Sequence, residues 1–329
     1  MPSPVPIINV APLIGGEAGR ELAAVVAGVS AACRDVGAFQ VINHGISESL
    51  IQCVWRETRR FFALPRGQKL AISRTKENSR GYYDRELTKN ARDLKEVFDF
   101  GVAFDPSVAA GKSSAPDDRN RWPAALPAFQ ETMEEYFAAC HGLGLQVLRA
   151  FCLGLDLPGE LLHRQFQGDH TSFIRLNYYP LADPLAPEES AAVTPLGDMA
   201  LHHHTDAGAL TILLQDDVGG LQVSVDGVWV DVEPVDGALV VNTADMMQVW
   251  SNDLYKAALH RVLPRTERER YSIPFFFNPS YATDYAPLET VIGDGPRYRI
   301  VNWGEFREAR ADGDYGDYGR EIQIQDYRV

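Results

Sequence analysis

A mainly β protein wrapped by helices is what this sequence predicts, on three observations. From residue 171 onward the chain runs in short β-branched and aromatic stretches. Turn signals such as "DDVGG", "VDG" and "PVDG" separate them. Before about residue 155, by contrast, apolar residues recur at helical spacing over long segments. Short strands at close spacing, joined by turns, suggest an antiparallel sandwich or barrel, and a jelly roll is one of the few ways to close such sheets. A length of 329 residues allows two domains or one large β-type domain.

The elements follow in order. "VPIINVAPL" reads as a short opening strand. Residues 17–34 carry Leu22, Val25, Val26, Val29 and Cys33 on one helical face, and Gly37 follows as a stop. "GAFQVINHG" is β-rich, a second helix runs from Ser47 to about Phe62, and Pro65 closes it. The polar, Pro/Gly/Ser-rich run 109–123 reads as a surface loop. A third helix is predicted from about Leu126 to Leu153, despite Gly142 and Gly144. The candidate strands are "SFIRLNYY", "ALTILLQD", "LQVSV", "GVWVDVE", "GALVVNT", "AALHRVL" and "YSIPFFFN".

Composition excludes several classes. The 31 Lys+Arg against 45 Asp+Glu leave a formal charge of −14, which repels nucleic-acid phosphates and anionic membranes. A small anionic substrate stays compatible with that charge, because a few buried arginines make a local positive pocket. Cys33, Cys53, Cys140 and Cys152 form no CxxC pair or dense framework. No basic segment followed by an apolar one opens the chain, and no apolar run approaches the roughly 20 residues of a bilayer span. The expectation is a soluble cytoplasmic protein with no nucleic-acid or membrane partner; the oligomeric state stays open, and a monomer is compatible with the sequence.

"HHHTD", residues 202–206, is where chemistry concentrates. Strand alternation puts His204 and Asp206 on one face and Thr205 on the other. His202 shares that face about 7 Å away, at 3.3 Å of rise per residue, and reads as pocket wall or support; His203 points away. A third ligand must come from another strand, and His260 in "KAALHRVLP" is the best remaining histidine. Two histidines and a carboxylate on one face of a metal, with open positions opposite, suit non-haem Fe(II) oxygen chemistry. The HExxH signature of zinc hydrolases is absent. Ten residues beyond His260, "RYS" puts Arg270 and Ser272 on one strand face, a guanidinium fork and a hydroxyl suited to a carboxylate.

The runs "HTDAGALTILLQDDVGGLQV", "GALVVNTADMMQVWSND", "ALHRV" and "RYSIPFFFNP" closely resemble the Fe(II)/2-oxoglutarate-dependent dioxygenases of the isopenicillin N synthase-like family. "DVGAFQVINHGI", "GYYDRELTKNARDLKEVFDFG" and "RLNYYP" extend the resemblance over nearly the whole chain. It implies a double-stranded β-helix (jelly-roll) core with an N-terminal and central helical shell. It also implies His204, Asp206 and His260 as iron ligands, and Arg270, Ser272 and Tyr179 as the grip on the far carboxylate of 2-oxoglutarate (2OG), with Asn177 near the iron. Arg175, Phe276 and Asn278 fall where relatives line the substrate pocket; His44 belongs to the fold rather than the site, and no catalytic group is implied beyond the metal centre.

The implied activity is oxidation of a small organic molecule by hydroxylation, desaturation or cyclisation, with O2 activation coupled to decarboxylation of 2OG to succinate and CO2, and ascorbate as a reductant. The alternative is an isopenicillin N synthase-type or 1-aminocyclopropane-1-carboxylate oxidase-type iron oxidase that does not use 2OG. The family layout implies one structural unit over 1–329, with an N-terminal region at 5–105, the oxygenase core at 171–281 and a C-terminal extension at 282–329. Residues 80–104, the strand at 173–179 and the chain from about 302 should shape the pocket. "PFFF" and "DMMQVW" should form a dry wall, and the tail from Ala311 should pack on the shell.

Overall fold

The computed structural model describes residues 5–16, 18–75, 78–88, 91–102, 119–310 and 322–329. Its strands are β1 (Ile7–Asn9), β2 (Ala38–Ile42), β3 (Gly81–Tyr83), β4 (Leu87–Thr88), β5 (Ala91–Arg92), β6 (Glu96–Gly101), β7 (Phe173–Tyr179), β8 (Leu201–His204), β9 (Leu210–Gln215), β10 (Leu221–Val225), β11 (Val228–Asp231), β12 (Leu239–Thr243), β13 (His260–Val262), β14 (Arg270–Phe277), β15 (Asp284–Tyr285) and β16 (Val301–Asn302). The helices are α1 (Ala11–Ile14), α2 (Arg20–Asp35), α3 (Glu48–Phe62), α4 (Arg66–Leu70), α5 (Pro127–Gly154), α6 (Pro187–Ser190), α7 (Asp245–Trp250) and α8 (Trp303–Arg310).

Two sheets face each other. The larger runs β1-β2-β12-β9-β14-β7-β6-β3 and is antiparallel except at β1–β2; the smaller runs β11-β10-β13-β8, with β8 on its edge. This is the double-stranded β-helix, and seven predicted strands supply most of both sheets. The opening strand is shorter than expected, because Pro12 stands in the first turn of α1 and the chain turns helical at Ala11. β6, "EVFDFG", escaped the hydrophobic pattern altogether: all six of its residues are buried, yet Glu96 and Asp99 are among them.

The helices cover the outer face of the large sheet. Ser47 caps α3 by accepting from the Leu50 amide at 3.2 Å, a contact worth about 1 kcal/mol. α5 passes by length and composition as a membrane span, yet Phe129, Met133, Tyr136, Val147 and Phe151 along it are fully buried in the core. The glycines inside it have a packing use at Gly144, where a Cβ would sit 3.3 Å from the Phe277 ring of β14. Phe277 stacks in turn on Phe166 at 4.1 Å between centroids. The α7 run "DMMQVW" belongs to this core, with Met246, Met247 and Trp250 buried on the far side of the sheet; the expectation that it walls the pocket is corrected. Of the tail, residues 311–321 lie outside the described residues, and Ile324 is buried while Tyr327 packs edge-on to Phe306. All four cysteines are unpaired.

Candidate metal centre and cosubstrate cavity

Between the sheets, antiparallel pairing sets His204 of β8 directly opposite His260 of β13, with ring centroids 4.4 Å apart. Strand β8 ends at His204, so Asp206 arrives from the turn beyond it rather than from an alternating strand position. Its Oδ1 lies 3.6 Å from His204 Nε2 and 3.9 Å from His260 Nε2. The three donor atoms fall within 4.8 Å of one another.

A second hydrogen bond aims each donor. His204 Nδ1–H donates to the His202 carbonyl at 2.8 Å and His260 Nδ1–H to the Ala258 carbonyl at 2.9 Å. A carbonyl can only accept, so both Nε2 lone pairs are left facing inward. Thr211 Oγ1 and Asn242 Nδ2 both donate to Asp206 Oδ2, at 2.5 and 2.9 Å, and leave Oδ1 for the shared point. Burial pushes the Asp206 carboxyl up, but the two imidazoles and these two donors outweigh it and hold it below the usual carboxylate value. Burial, reinforced by the neighbouring His260, pushes His204 down to about 3. Two imidazole nitrogens aimed inward beside an ionised carboxylate are the donor set a divalent ion requires.

The other two histidines of the triplet do different things. His202 offers its carbonyl to His204 but turns its ring to Asp93, donating Nδ1–H to Oδ1 at 3.0 Å. Asp93 is buried and also holds Lys95 and Thr88, at 3.0 and 2.7 Å. His203 is exposed and meets Trp229 edge-on.

A second cluster lies further along the large sheet. Register pairs Arg270 with Tyr179 and Ser272 with Asn177 across β14 and β7. Arg270 is 1% exposed; its Nε donates to the Gly219 carbonyl at 2.8 Å and its Nη2 to Gln215 Oε1 at 3.4 Å. The "DDVGG" turn supplies that carbonyl, with φ of 74° and 92° at Gly219 and Gly220, values that favour glycine. The guanidinium lies over the Tyr179 ring at 4.9 Å, and Asn177 Nδ2 donates to Ser272 Oγ at 3.3 Å. Arg270 Nη1 is buried with no hydrogen-bond partner. A buried guanidinium nitrogen in that state is costly until an acceptor arrives, and a carboxylate fits it best.

A cavity of about 390 Å³ contains both clusters. Phe276 lines it, stacked on Phe173 at 4.6 Å, while its neighbours Phe275 and Phe277 face the core. Arg175 lines it too but is locked by Asp99, through two bonds of 2.7 Å, and by Glu86 at 3.1 Å. Asn278 lines it, tied to Ser172 and Thr171. Arg85, by contrast, pairs with Glu189 away from the lining, and His44 bridges the Gly237 carbonyl and the Ile46 amide, as a residue of the fold does. Thr211, Asn242, Lys95, Glu86 and, from α8, Trp303, Arg307 and Arg310 also line the cavity and were missed individually. Polar residues inside buried strands were their signal: Asn242 in "LVVNT", and charges in "DLKEVFDFG". Arg310 donates to the Thr205 carbonyl, between two donor residues, at 2.6 Å and to buried Asp245; the Asp245 amide donates to the Asp206 carbonyl at 2.8 Å.

The 2-oxoglutarate-Fe(II) type oxidoreductase hxnY of Emericella nidulans is 36% identical over 316 residues, covering 90% of this chain and 86% of that protein. The chain belongs to the 2OG-Fe(II) oxygenase superfamily. The model of that superfamily matches residues 170–279, and that of the non-haem dioxygenase in morphine synthesis N-terminal region matches 5–125. A full-length Neurospora crassa protein, solved in complex with alpha-KG and thymine, superposes with a TM-score of 0.77 at 26% identity, over 93% of this chain and 96% of that one. JOX2 in complex with 2OG, Fe and JA gives 0.77 at 26%, over 99% and 89%. The oxygenase is thus an Fe(II)- and 2OG-dependent enzyme acting on a small molecule, and the alternative without 2OG is set aside.

Proposed function

We propose that His204 Nε2, Asp206 Oδ1 and His260 Nε2 hold the iron of this oxygenase, and that Arg270, with Ser272 and Tyr179, anchors the far carboxylate of 2OG, Asn177 steadying Ser272 through its Nδ2–H. The observation that carries the reading is the pairing of a preset donor triad with a buried guanidinium nitrogen that lacks a partner in the same cavity. Bound Fe(II) supplies dioxygen activation, coupled to decarboxylation of 2OG to succinate and CO2. The chain's own part is to bind, orient and keep dry. Thr211 and Asn242 turn one carboxylate oxygen toward the metal. Arg270 fixes 2OG from its far end, and Pro274, Phe276, Leu213, Val223 and Val262 supply apolar wall from both sheets.

The primary substrate is small. The cavity lies near the lower end of the roughly 300–1,000 Å³ of ordinary ligand sites, and 2OG takes part of it. The thymine bound by the Neurospora crassa protein sets the scale of molecule expected. Residues 171–281 act as the chemical core, with the described parts of 5–105 and 282–329 as walls around it. The four unpaired cysteines support a reducing, cytoplasmic setting. Adding Fe(II) and 2OG without oxygen should give a visible charge-transfer band that needs both. Arg270→Lys keeps the charge but loses the fork, so it should raise the KM for 2OG at least tenfold with iron still bound. A full band in Arg270→Leu at ordinary 2OG concentration would contradict the assignment.

A further inference from the structure

The cavity holds a second cationic end, and its chemistry names a substrate class. Resting on the oxygenase reading of this same cavity, we infer that the primary substrate carries a carboxylate or equivalent anion, gripped by Arg307 of α8. Most other cations of the lining are occupied: Arg74 and Arg175 by Glu86 and Asp99, Lys95 by Asp93, Arg310 by Asp245. Arg307 differs. Among the described residues no carboxylate lies within ion-pairing distance of it, and its guanidinium rests on aromatic faces, 5.1 Å from the Phe173 centroid and 5.9 Å from that of Trp303. Arg80 lies over the same Phe173 ring at 5.0 Å. A half-buried guanidinium against aromatic rings is poorly hydrated, which strengthens its attraction for an incoming anion.

This end cannot be a second contact for the carboxylate that Arg270 holds. Arg270 pairs with Tyr179 at one end of β14–β7, and Phe276 pairs with Phe173 six residues further along. At about 3.4 Å per residue that is roughly 20 Å of strand, well beyond the span of one five-carbon diacid. The donor triad and Arg175, itself neutralised, lie in the same cavity. The Phe173–Phe276 stack beside Arg307 offers a flat apolar surface, so the anion should belong to a molecule with an apolar or aromatic body.

The test uses enzyme loaded anaerobically with Fe(II) and saturating 2OG. Binding of phenylacetate, 3-phenylpropanoate and hexanoate is measured by calorimetry, each against its primary amide. The expected result is that at least one carboxylate binds tenfold or more tightly than its amide, that Arg307→Gln removes this preference, and that Arg307→Lys restores part of it. Arg307→Gln should leave iron loading and the 2OG-dependent charge-transfer band unchanged. Equal binding of acids and amides in the native enzyme, or a preference that survives Arg307→Gln, overturns the inference while leaving the iron and 2OG assignments intact. Loss of the band in the native enzyme would instead sink the underlying reading.

Discussion

Replacing Arg310 with methionine should unlock the metal site from the outside. Methionine approximates the length of the side chain and none of its charge, so the hydrogen bonds to the Thr205 carbonyl and to Asp245 disappear. Asp245 has a 1% exposed side chain and one oxygen already unpartnered, so it would be left as a buried carboxylate with no counter-ion. Breaking a buried pair in that way costs about 3–5 kcal/mol, which for a chain of this size lowers Tm by roughly 5–10 °C. Burial already pushes the Asp245 carboxyl above its usual value. Without Arg310 the folded state gains by keeping that carboxyl protonated, so the loss should deepen as pH rises through its folded pKa and shrink below it. Urea unfolding of Arg310→Met at pH 5 and 7, with Asp245→Asn alone and combined, measures the pair as a double-variant cycle. The double variant should recover about 2 kcal/mol relative to Arg310→Met. If Arg310→Met costs less than about 1 kcal/mol, or the two losses simply add, Arg310 does not clamp the turn between the metal donors.

Three further outcomes are expected. Thr211→Val removes one of the two donors to Asp206 Oδ2 at nearly constant volume, and iron affinity measured by competition with a chelator should fall about 10–100-fold. His204→Ala should abolish iron loading, whereas His203→Ala should retain it stoichiometrically by metal analysis. His170 sits against Phe137 and His141 with its Nδ1 unpartnered, and burial with the nearby His141 pushes it down to about 4. The unfolded chain therefore takes up a proton below about pH 6.5 that the folded one refuses until about 4. Stability should fall as the pH is lowered across that window, by at most about 1.4 kcal/mol per unit, and His170→Phe should flatten the slope in unfolding titrations between pH 6.5 and 5.

The sequence made some of this legible and hid the rest for physical reasons. Strands with one apolar face announced themselves, as did Arg270 and Ser272, whose spacing on β14 survives intact in the register with Tyr179 and Asn177. β6 was hidden because its buried charges are neutralised only by residues far along the chain, Glu96 by Lys69 and Asp99 by Arg175. Pattern reading sees a charge and assumes water. His204 and Asp206 were found by an alternation rule that does not strictly apply, since the strand ends between them; the turn delivers the carboxylate to the same point. Arg310 could not be read at all, because its role depends on meeting a carbonyl 105 residues away.

The position of β8 has a kinetic consequence. It is a four-residue strand on the edge of the smaller sheet, bonded to β13 alone and with a register break between His260 and Val262. Short edge strands are among the first segments of a fold to open. Fraying of β8 would carry His204 away from His260 while the eight-stranded sheet behind stays paired, so the ion gains a way in and out that needs no global unfolding. Iron exchange should then follow the local opening of this strand, and amide hydrogen exchange at 201–204 in the metal-free enzyme should run at the same pace as metal uptake.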